Sequence, residues 1–345
     1  MVGGRADGKA RGVLSGGAHS RQIEPRASTD SLLGSWPVHA SARDPEAGGQ
    51  TLVGATGSVE VLCFSDPGCP WAYSANPALT VMGWRYGRQL HWRLVMIGLT
   101  EQPDQYRQRG YTPARNARGY RRFRRLGMPL ATAPRPRVMA TAQGCRTVVA
   151  TRLLDPSREW EVYRALQFAW FTTTLLLDET DGLLGALASV PGLDAQAVIG
   201  AVDSPEVSRA YEADRARARR AAGSPTEFQG KAAATDGPVR YTAPSLIFSR
   251  DGRSLEAGGF QPVEAYDVVV ANLAGDLERR APPEGPGPVL ERFPAGLSTQ
   301  EVAAVLAVGN DVPDRAGAED ALIDLVATGR ARRRGLGDDA LWQPV

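Results

Sequence analysis

The sequence contains few cysteines and few histidines, and this scarcity excludes several classes of protein. Among its 345 residues there are three Cys and three His. A small, odd number of cysteines excludes a fully paired disulfide scaffold and fits a reducing compartment such as the cytoplasm. No Cys and His residues stand at the spacing typical of a metal site, so we expect no bound metal.

Long apolar runs and an excess of one charge are also lacking. No stretch approaches the roughly 18 consecutive apolar residues that a membrane span requires. Lys and Arg number 40 against 38 Asp and Glu, which gives a formal net charge of +2. This balance excludes a strongly basic protein that wraps nucleic acid, and it excludes an acidic disordered chain. We expect no membrane association, and a chain long enough for two domains.

Residues 1–57 are rich in Gly, Ala, Ser, Pro and Arg and show no periodicity. Their longest apolar run is far shorter than the roughly 7–15 residues at the centre of a secretory signal. The composition therefore predicts a disordered leader over residues 1–57.

From Ser58 onward the patterns alternate between strand and helix, which predicts a mixed α/β fold. The order is β-α-β, then a long helical block over about residues 100–225, then β-β-α. The predicted elements outside the block are strands at 59–64 and 90–97, a helix at 69–86, strands at 245–248 and 254–258, and a helix at 262–273.

Residues 281–288 are rich in Pro and Gly and predict a linker between two domains, 58–280 and 289–345. The second has the pattern of helices followed by a glycine-containing ribbon, which resembles a winged helix. Its third helix carries Glu319, Asp320 and Asp324, and carboxylates repel phosphates. We therefore expect a protein-interaction or packing module and no nucleic-acid binding.

The segment Phe64–Tyr73 contains the most informative cysteine, Cys69, where a strand ends and a helix begins. Pro70 fits the first helical position, where its missing N–H costs nothing. The free N–H groups and partial positive charge of a helix start favour a thiolate. We expect an exposed thiol with a lowered pKa; a buried, inert cysteine is the alternative.

A second informative element is the segment Thr242–Phe248, in which Pro244 opens an apolar strand. Two interpretations are open. Pro244 can be the first residue of an edge strand, where proline does not disturb the ladder. It can instead follow a cis peptide bond in a turn beside a site.

Together these elements resemble the DsbA-like branch of the thioredoxin fold, with a large helical insertion. FrnE-type dithiol oxidoreductases of that branch carry Asp-Pro-x-Cys-Pro-Trp-Cys-Tyr, and residues 66–73 match every fixed position but one. Kappa-class glutathione transferases and 2-hydroxychromene-2-carboxylate isomerases are related. The resemblance covers about residues 58–276. It implies Cys69 as the catalytic residue and the following substrate-binding residues: Asp66, Pro67, Pro70, Trp71, Tyr73, Ala243 and Pro244.

The departure from the family pattern is Ala72, which stands where the second thiol belongs. Without that thiol, a mixed disulfide at Cys69 has no internal resolving group. The resemblance then implies an oxidoreductase with a single thiol, acting on a small thiol or a thiol-containing protein. A low-molecular-weight thiol of the glutathione or mycothiol type is the expected cosubstrate. A transferase or isomerase dependent on that thiol, and a non-catalytic binding protein using the same groove, are the alternatives.

The segment 115–125 contains six arginines interleaved with Tyr120 and Phe123. A solvated helix face and an anion-binding face that holds a carboxylate are both open interpretations. Of the other cysteines, Cys63 is expected to pack in the core, and so is Cys145.

Overall fold

The computed structural model describes residues 58–235, 237–309 and 311–345. The predicted leader, residues 1–57, lies outside the described residues, so its disorder stays a prediction.

The helices, in chain order, are α1 (Pro70–Ser74), α2 (Asn76–Tyr86), α3 (Pro103–Gln108), α4 (Pro113–Tyr120), α5 (Ala142–Leu154), α6 (Glu159–Thr172), α7 (Thr180–Leu187), α8 (Ala195–Ala201), α9 (Pro205–Ala218), α10 (Pro225–Phe228), α11 (Val263–Leu273), α12 (Pro286–Arg292), α13 (Thr299–Leu306) and α14 (Arg315–Ala327). The strands are β1 (Val59–Ser65), β2 (Leu90–Met96), β3 (Ala232–Ala233), β4 (Arg240–Tyr241), β5 (Ser245–Arg250), β6 (Arg253–Ala257), β7 (Leu297–Ser298), β8 (Ala331–Leu336) and β9 (Asp339–Pro344). Short 3₁₀ helices lie at Gly87–Gln89, Arg121–Leu126 and Pro156–Arg158.

The main sheet has four strands in the order β2-β1-β5-β6. β1 runs parallel to β2, with Val61 opposite Trp92, and antiparallel to β5, with Val61 opposite Phe248. β6 pairs antiparallel with β5. The mixed α/β class is confirmed, and this order and these directions are those of the thioredoxin fold. The helical block stands between β2 and β5, as the sequence predicted.

The single helix predicted from 69 to 86 is two helices, α1 and α2, separated at Ala75. The reason is Pro77, which lacks an N–H and would clash with the carbonyl four residues earlier. As a result, α1 is a short helix of five residues, and Cys69 immediately precedes it. In contrast, α2 is buried along its whole length.

The core of the main sheet is completed by the helical block. β1 contributes Val59, Val61 and Cys63, which are almost completely buried. Helices α5 and α6 contribute Val148 and Leu166 to the same core cluster, and both side chains are fully buried. The prediction that Cys63 and Cys145 pack in the core is confirmed, since they are 3 % and 0 % exposed.

Residues 286–345 contain α12, β7, α13, α14 and the hairpin β8–β9, and the three strands form a small sheet in the order β7-β9-β8. Helix α13 begins with a capping box: the Ser298 side chain accepts from the Glu301 N–H while the Glu301 carboxylate accepts from the Ser298 N–H. Helix α12 begins at Pro286, inside the segment predicted as a linker, because proline is well suited to the first turn.

Several contacts join residues 286–345 to the rest of the chain. Val81 and Trp84 of α2 are buried in the same cluster as Leu290 and Trp342. The guanidinium of Arg164, on α6, also makes a buried ion pair with Glu301 on α13.

Candidate thiol site at the start of helix α1

Cys69 is the N-cap residue of α1, and its backbone is extended. Its N–H donates to the carbonyl oxygen of Asp66 at 3.0 Å, and its own carbonyl accepts from the N–H of Tyr73 at 2.9 Å. Pro70 occupies the first turn, as predicted. The turn before Cys69 is therefore closed by the backbone, and the sulfur lies at the N-terminus of a helix.

The structure brings Cys69 together with the segment that opens β5. Its Sγ donates to the carbonyl oxygen of Ala243 at 3.2 Å across 174 positions of sequence. The Ala243–Pro244 peptide bond is cis, which decides between the two interpretations of Pro244. Ala243 and Pro244, which the resemblance gives as substrate-binding residues, thus lie beside Cys69.

The environment of the sulfur differs from the predicted one. Cys69 is 6 % exposed and lies in an apolar cluster with Phe64, Tyr241 and Ala243. Burial raises its pKa to about 12, although hydrogen bonds from the N–H groups of Ala72 and Trp71 act to lower it. The prediction of an exposed thiolate with a lowered pKa is wrong, because loss of solvent outweighs the helix terminus.

Asp66 lies fully buried beneath the loop and holds it to two other segments. Its Oδ1 accepts from the Gly68 N–H at 2.8 Å, and its Oδ2 accepts from the Leu99 N–H and the Thr141 hydroxyl, each at 2.8 Å. Burial raises the pKa of Asp66, and these hydrogen bonds oppose the rise. Asp66 therefore holds the loop in place and does not line the cavity, so its position supports a structural role and not the predicted role in substrate binding.

Gly68 shows how closely the loop approaches the helical block. A Cβ placed there would lie 2.7 Å from Thr141 Cγ2 and 2.8 Å from a ring carbon of Trp170. A side chain would therefore force these neighbours apart. Pro67 contacts α5 in a similar way, since a Cβ at Gly144 would lie 3.3 Å from its Cγ.

A cavity of about 420 Å³ opens beside the loop, with Gly68, Pro70 and Trp71 in its wall. Trp71 packs edge-to-face against Phe123 and Phe260, with ring centres 4.8 and 5.1 Å apart. Trp71 and Pro70 therefore form part of the cavity wall.

Tyr73 does not belong to this cavity wall. Its hydroxyl donates to the carbonyl oxygen of Pro129 at 2.6 Å, and its ring stacks on Phe171 at 4.5 Å between centres. Since Tyr73 is fully buried, it is a core residue, and the predicted role in substrate binding has no support in its position.

The three cysteines, all within the described part of the chain, are free thiols. Ala72, at the position of the missing second thiol, is 3 % exposed in the turn that follows Cys69. The thiol of Cys145 donates to Asp66 Oδ2 at 3.4 Å, so it takes part in supporting the loop. Burial raises the pKa of Cys145 and also that of Cys63.

The sequence reasoning missed several residues that build the site. Tyr106 and Tyr111 line the cavity, and Thr141 anchors Asp66. They lie in the helical block, and neither spacing nor a motif marks them. Among the described residues, no group of three or more His, Cys, Asp or Glu side chains is placed so that it could hold a metal ion. In the same part of the chain, no helix combines the length and apolarity needed to cross a membrane.

Fold and site together define a thioredoxin-fold protein with a lone cysteine at the start of its first helix. No family model matches the chain, and no curated protein matches it either. Solved structures of DsbA-like oxidoreductases are similar to it at low sequence identity. The cytosolic disulfide reductase DsbM from Pseudomonas aeruginosa, in its structure with GSH, is 19 % identical and has a TM-score of 0.44, over 62 % of this chain and 100 % of that one.

Two further structures are similar at the same level. A protein described as a probable DsbA oxidoreductase from Streptomyces coelicolor is 17 % identical, covers 66 % of this chain and 93 % of its own, and has a TM-score of 0.47. The oxidoreductase NmDsbA1 from Neisseria meningitidis is 14 % identical, covers 73 % and 92 %, and has a TM-score of 0.38.

Proposed function

We propose that the protein is a thiol-dependent oxidoreductase that works through the single thiol of Cys69. The observation that carries this proposal is the position of the sulfur. It lies at the N-terminus of α1 and 3.2 Å from the carbonyl oxygen of Ala243, at the opening of β5. The N–H groups of Ala72 and Trp71 are directed so that they stabilise a thiolate when one forms.

The reaction is disulfide exchange in two steps. Cys69 gives up its proton and attacks a disulfide, so that a bond forms between Sγ and one substrate sulfur. The substrate S–S bond breaks, and the other sulfur leaves with the electron pair and takes up a proton. A small thiol then gives up its proton and attacks the substrate sulfur of the mixed disulfide, so that a new disulfide forms between these two sulfurs; the bond to Sγ breaks, and Sγ leaves with the electron pair and takes up a proton. The second step is external because Ala72 supplies no thiol.

The proposed cosubstrate is a low-molecular-weight thiol of the glutathione or mycothiol type, and the proposed partner is that thiol or a thiol-containing protein. Three free cysteines in the described chain support a reducing compartment such as the cytoplasm.

Incubation with glutathione disulfide at pH 8 tests the proposal. We expect the native chain to gain the mass of one glutathionyl group, at Cys69, and to lose it on addition of dithiothreitol. The matched control is Cys69→Ser, which keeps a hydroxyl at the same place and should gain nothing. The same reagent applied in denaturant shows that all three thiols can react. A native chain that stays unmodified at Cys69 while the denatured chain is modified contradicts the proposal.

A second candidate function is non-catalytic binding in the same groove. It is favoured by one specific observation: Cys69 is 6 % exposed and its pKa is raised to about 12, so the thiolate is scarce at neutral pH. A binding protein keeps its affinity when Cys69 is replaced by Ser, whereas the oxidoreductase loses exchange. A transferase or isomerase differs from both, because it consumes an electrophile or rearranges a substrate without net thiol oxidation.

We also propose that residues 286–345 form a winged-helix-like unit with a packing role. The order of elements supports this: helix α12, strand β7, helices α13 and α14, and the hairpin β8–β9. Asp320 and Asp324 are exposed on α14, where a DNA reader would present basic side chains.

A further inference from the structure

The arginines of the segment 115–125 belong to a longer stretch whose charge is of one sign. Residues 105–154 contain twelve arginines and neither Asp nor Glu, although the charges of the whole chain nearly balance. Lysine is absent from this stretch as well. The guanidinium of arginine is a planar fork of N–H donors that matches the two oxygens of a carboxylate or a phosphate, which an ammonium does not. The stretch is therefore suited to hold oxyanions.

Four of these arginines lie outside the cavity wall and form what we call the arginine face: Arg118, Arg121, Arg124 and Arg125. All four side chains are exposed. Arg118 is on α4, and the other three are on the 3₁₀ helix that follows it directly. Side chains three positions apart lie above one another in a 3₁₀ helix and are neighbours in an α-helix, so Arg118, Arg121 and Arg124 form a row. The face thus presents a line of positive charges.

The backbone under the arginine face is fixed by the residues between and after the arginines. Phe123 is 2 % exposed, and its ring packs edge-to-face on Trp71 with 4.8 Å between centres. Gly127 ends the 3₁₀ helix with a φ of +83°, and a Cβ at this position would overlap the side chain of Gln300 on α13. A ligand therefore meets side chains on an ordered backbone, which lowers the entropy that binding costs.

Most of the charge on the arginine face has no counter-charge within the described residues. Arg124 pairs with Asp338, with 3.0 Å between Nε and Oδ2. The Nε–H of Arg125 donates to a backbone carbonyl oxygen at 3.2 Å, which orients the guanidinium without cancelling its charge. In the described part of the chain, no ion pair engages Arg118, Arg121 or Arg125. Like charges three positions apart repel, and a bound anion would remove this repulsion.

The contacts of the arginine face favour carboxylates over nucleic acid. The carboxylate of Asp338, at the turn between β8 and β9, already lies on Arg124. The segment offers little ring surface on which bases could stack, because Phe123 is buried and Tyr120 is half-buried with its ring packed edge-to-face against Phe171. Proteins that bind single-stranded nucleic acid use exposed rings for this purpose. The carboxylates of a polypeptide are therefore the better match.

We propose that the arginine face is a docking site for an acidic segment of a partner protein. Asp or Glu side chains of that segment supply the counter-charges that Arg118, Arg121 and Arg125 lack. The site adjoins the cavity beside the Cys69 loop, since Arg122 of the same 3₁₀ helix lines that cavity. Docking requires no reaction at Cys69, so the proposal does not rest on the oxidoreductase function.

Binding of a short fluorescein-labelled oligoglutamate to the Cys69→Ser variant, followed by fluorescence anisotropy, tests the proposal with thiol chemistry removed. We expect binding that weakens as salt is added, because exposed charges are screened. Adding the triple substitution Arg118→Gln/Arg121→Gln/Arg125→Gln is expected to weaken binding about tenfold, which is a little over twofold for each exposed ion pair.

The matched control is the triple substitution Arg88→Gln/Arg209→Gln/Arg253→Gln in the same background. It removes the same net charge from three exposed arginines on other elements, and it should weaken binding by less than about twofold. An equal loss of affinity in the two triple variants overturns the proposal, because binding then follows the net charge and not the arginine face.

Two comparison probes identify the chemistry of the ligand. Oligoglutamine of the same length lacks the charge and is expected not to bind. Oligothymidylate of the same charge presents phosphates and bases, and we expect it to bind more weakly than oligoglutamate. Tighter binding of oligothymidylate overturns the proposal and indicates a nucleic-acid site.

The two proposals fail separately. A glutathionyl adduct at Cys69 in a chain that does not bind oligoglutamate overturns the docking site and leaves the oxidoreductase intact. Binding of oligoglutamate without any adduct at Cys69 supports the docking site and overturns thiol exchange.

Discussion

At the scale of single residues, two effects act on the pKa of the Cys69 thiol in opposite directions. The N-terminus of α1 presents N–H groups to the sulfur, and the apolar cluster around Ala243 removes water from it. Burial raises the pKa of Cys69 to about 12, so the thiolate is scarce at pH 7. Because the thiolate is the attacking species, exchange in this conformation is slow at neutral pH and speeds up in base.

We predict that Cys69 is alkylated by iodoacetamide more slowly than glutathione at pH 7.5. We also predict that its rate still rises above pH 9, where the rate of an unstructured thiol has levelled off near its pKa of about 8.5. Mass spectrometry of the modified peptide measures the rate at Cys69, and Cys69→Ser shows any labelling of the other two thiols. A rate that levels off near pH 7 would show that the helix terminus dominates after all.

The sequence predicted which residues meet at the thiol better than it predicted their surroundings. The positions of Cys69 and Pro70 follow from local signals, a strand end and a helix start. The burial of Cys69 does not, because Tyr241, Ala218 and Ala221, in its apolar cluster, lie some 150 to 170 positions away. Tyr73 was misplaced for a similar reason: its neighbour Phe171 belongs to a helix whose packing no local pattern reveals.

At the scale of secondary-structure elements, a buried ion pair joins α6 to α13. Arg164 is 4 % exposed and Glu301 is 0 % exposed. The guanidinium donates to both carboxylate oxygens and also to the carbonyl oxygen of Gly296 at 2.9 Å. The same carboxylate closes the capping box of α13, so helix start and helix contact depend on one side chain.

Replacement of Arg164 by Met is expected to cost about 3–5 kcal/mol of unfolding free energy, because Glu301 is then buried without a cation. Urea denaturation followed by circular dichroism measures the loss. The matched control is Arg209→Met, which removes an exposed pair with Glu206 and should cost at most about 1 kcal/mol.

The double variant Arg164→Met/Glu301→Gln refines this test. A neutral amide at position 301 needs no cation and can still serve the capping box, so part of the loss should be recovered. If Arg164→Met costs no more than Arg209→Met, the ion pair does not stabilise the contact between α6 and α13.

At the scale of the whole molecule, α2 belongs to two clusters at once. Leu79 and Met82 pack under the main sheet, while Val81 and Trp84 pack with Leu290. A helix buried on all sides cannot lose one set of neighbours without exposing apolar surface. The Trp84 Nε1–H also donates to the carbonyl oxygen of Ala281 at 2.8 Å, at the start of the predicted linker.

We therefore predict that thermal unfolding of the chain shows one cooperative transition, with equal calorimetric and van't Hoff enthalpies. Differential scanning calorimetry measures both quantities. Two resolved transitions would show that residues 286–345 unfold independently.

Elements that are specified by residues close together in the sequence could be predicted, whereas features that depend on residues far apart in the sequence could not. Strand and turn signals gave β1, β2 and the hairpin β5–β6 within about two residues, and the resemblance supplied their order in the sheet. The helical block was predicted as helical, and its role as the wall of a cavity was predicted only in part. That role depends on rings from α3, α4 and α6 meeting at one loop, which is a property of tertiary packing alone.

Ala72 has a consequence for the lifetime of any covalent complex. A second thiol in the same turn would release a bound partner within the site, so its absence leaves release to molecules that diffuse in. The loop that carries Cys69 is packed on Trp170 and Thr141, which restricts that approach. Under the proposed function, a partner that is bound to Cys69 as a mixed disulfide stays bound until a thiol from solution releases it, so the concentration of that thiol sets the lifetime of the complex.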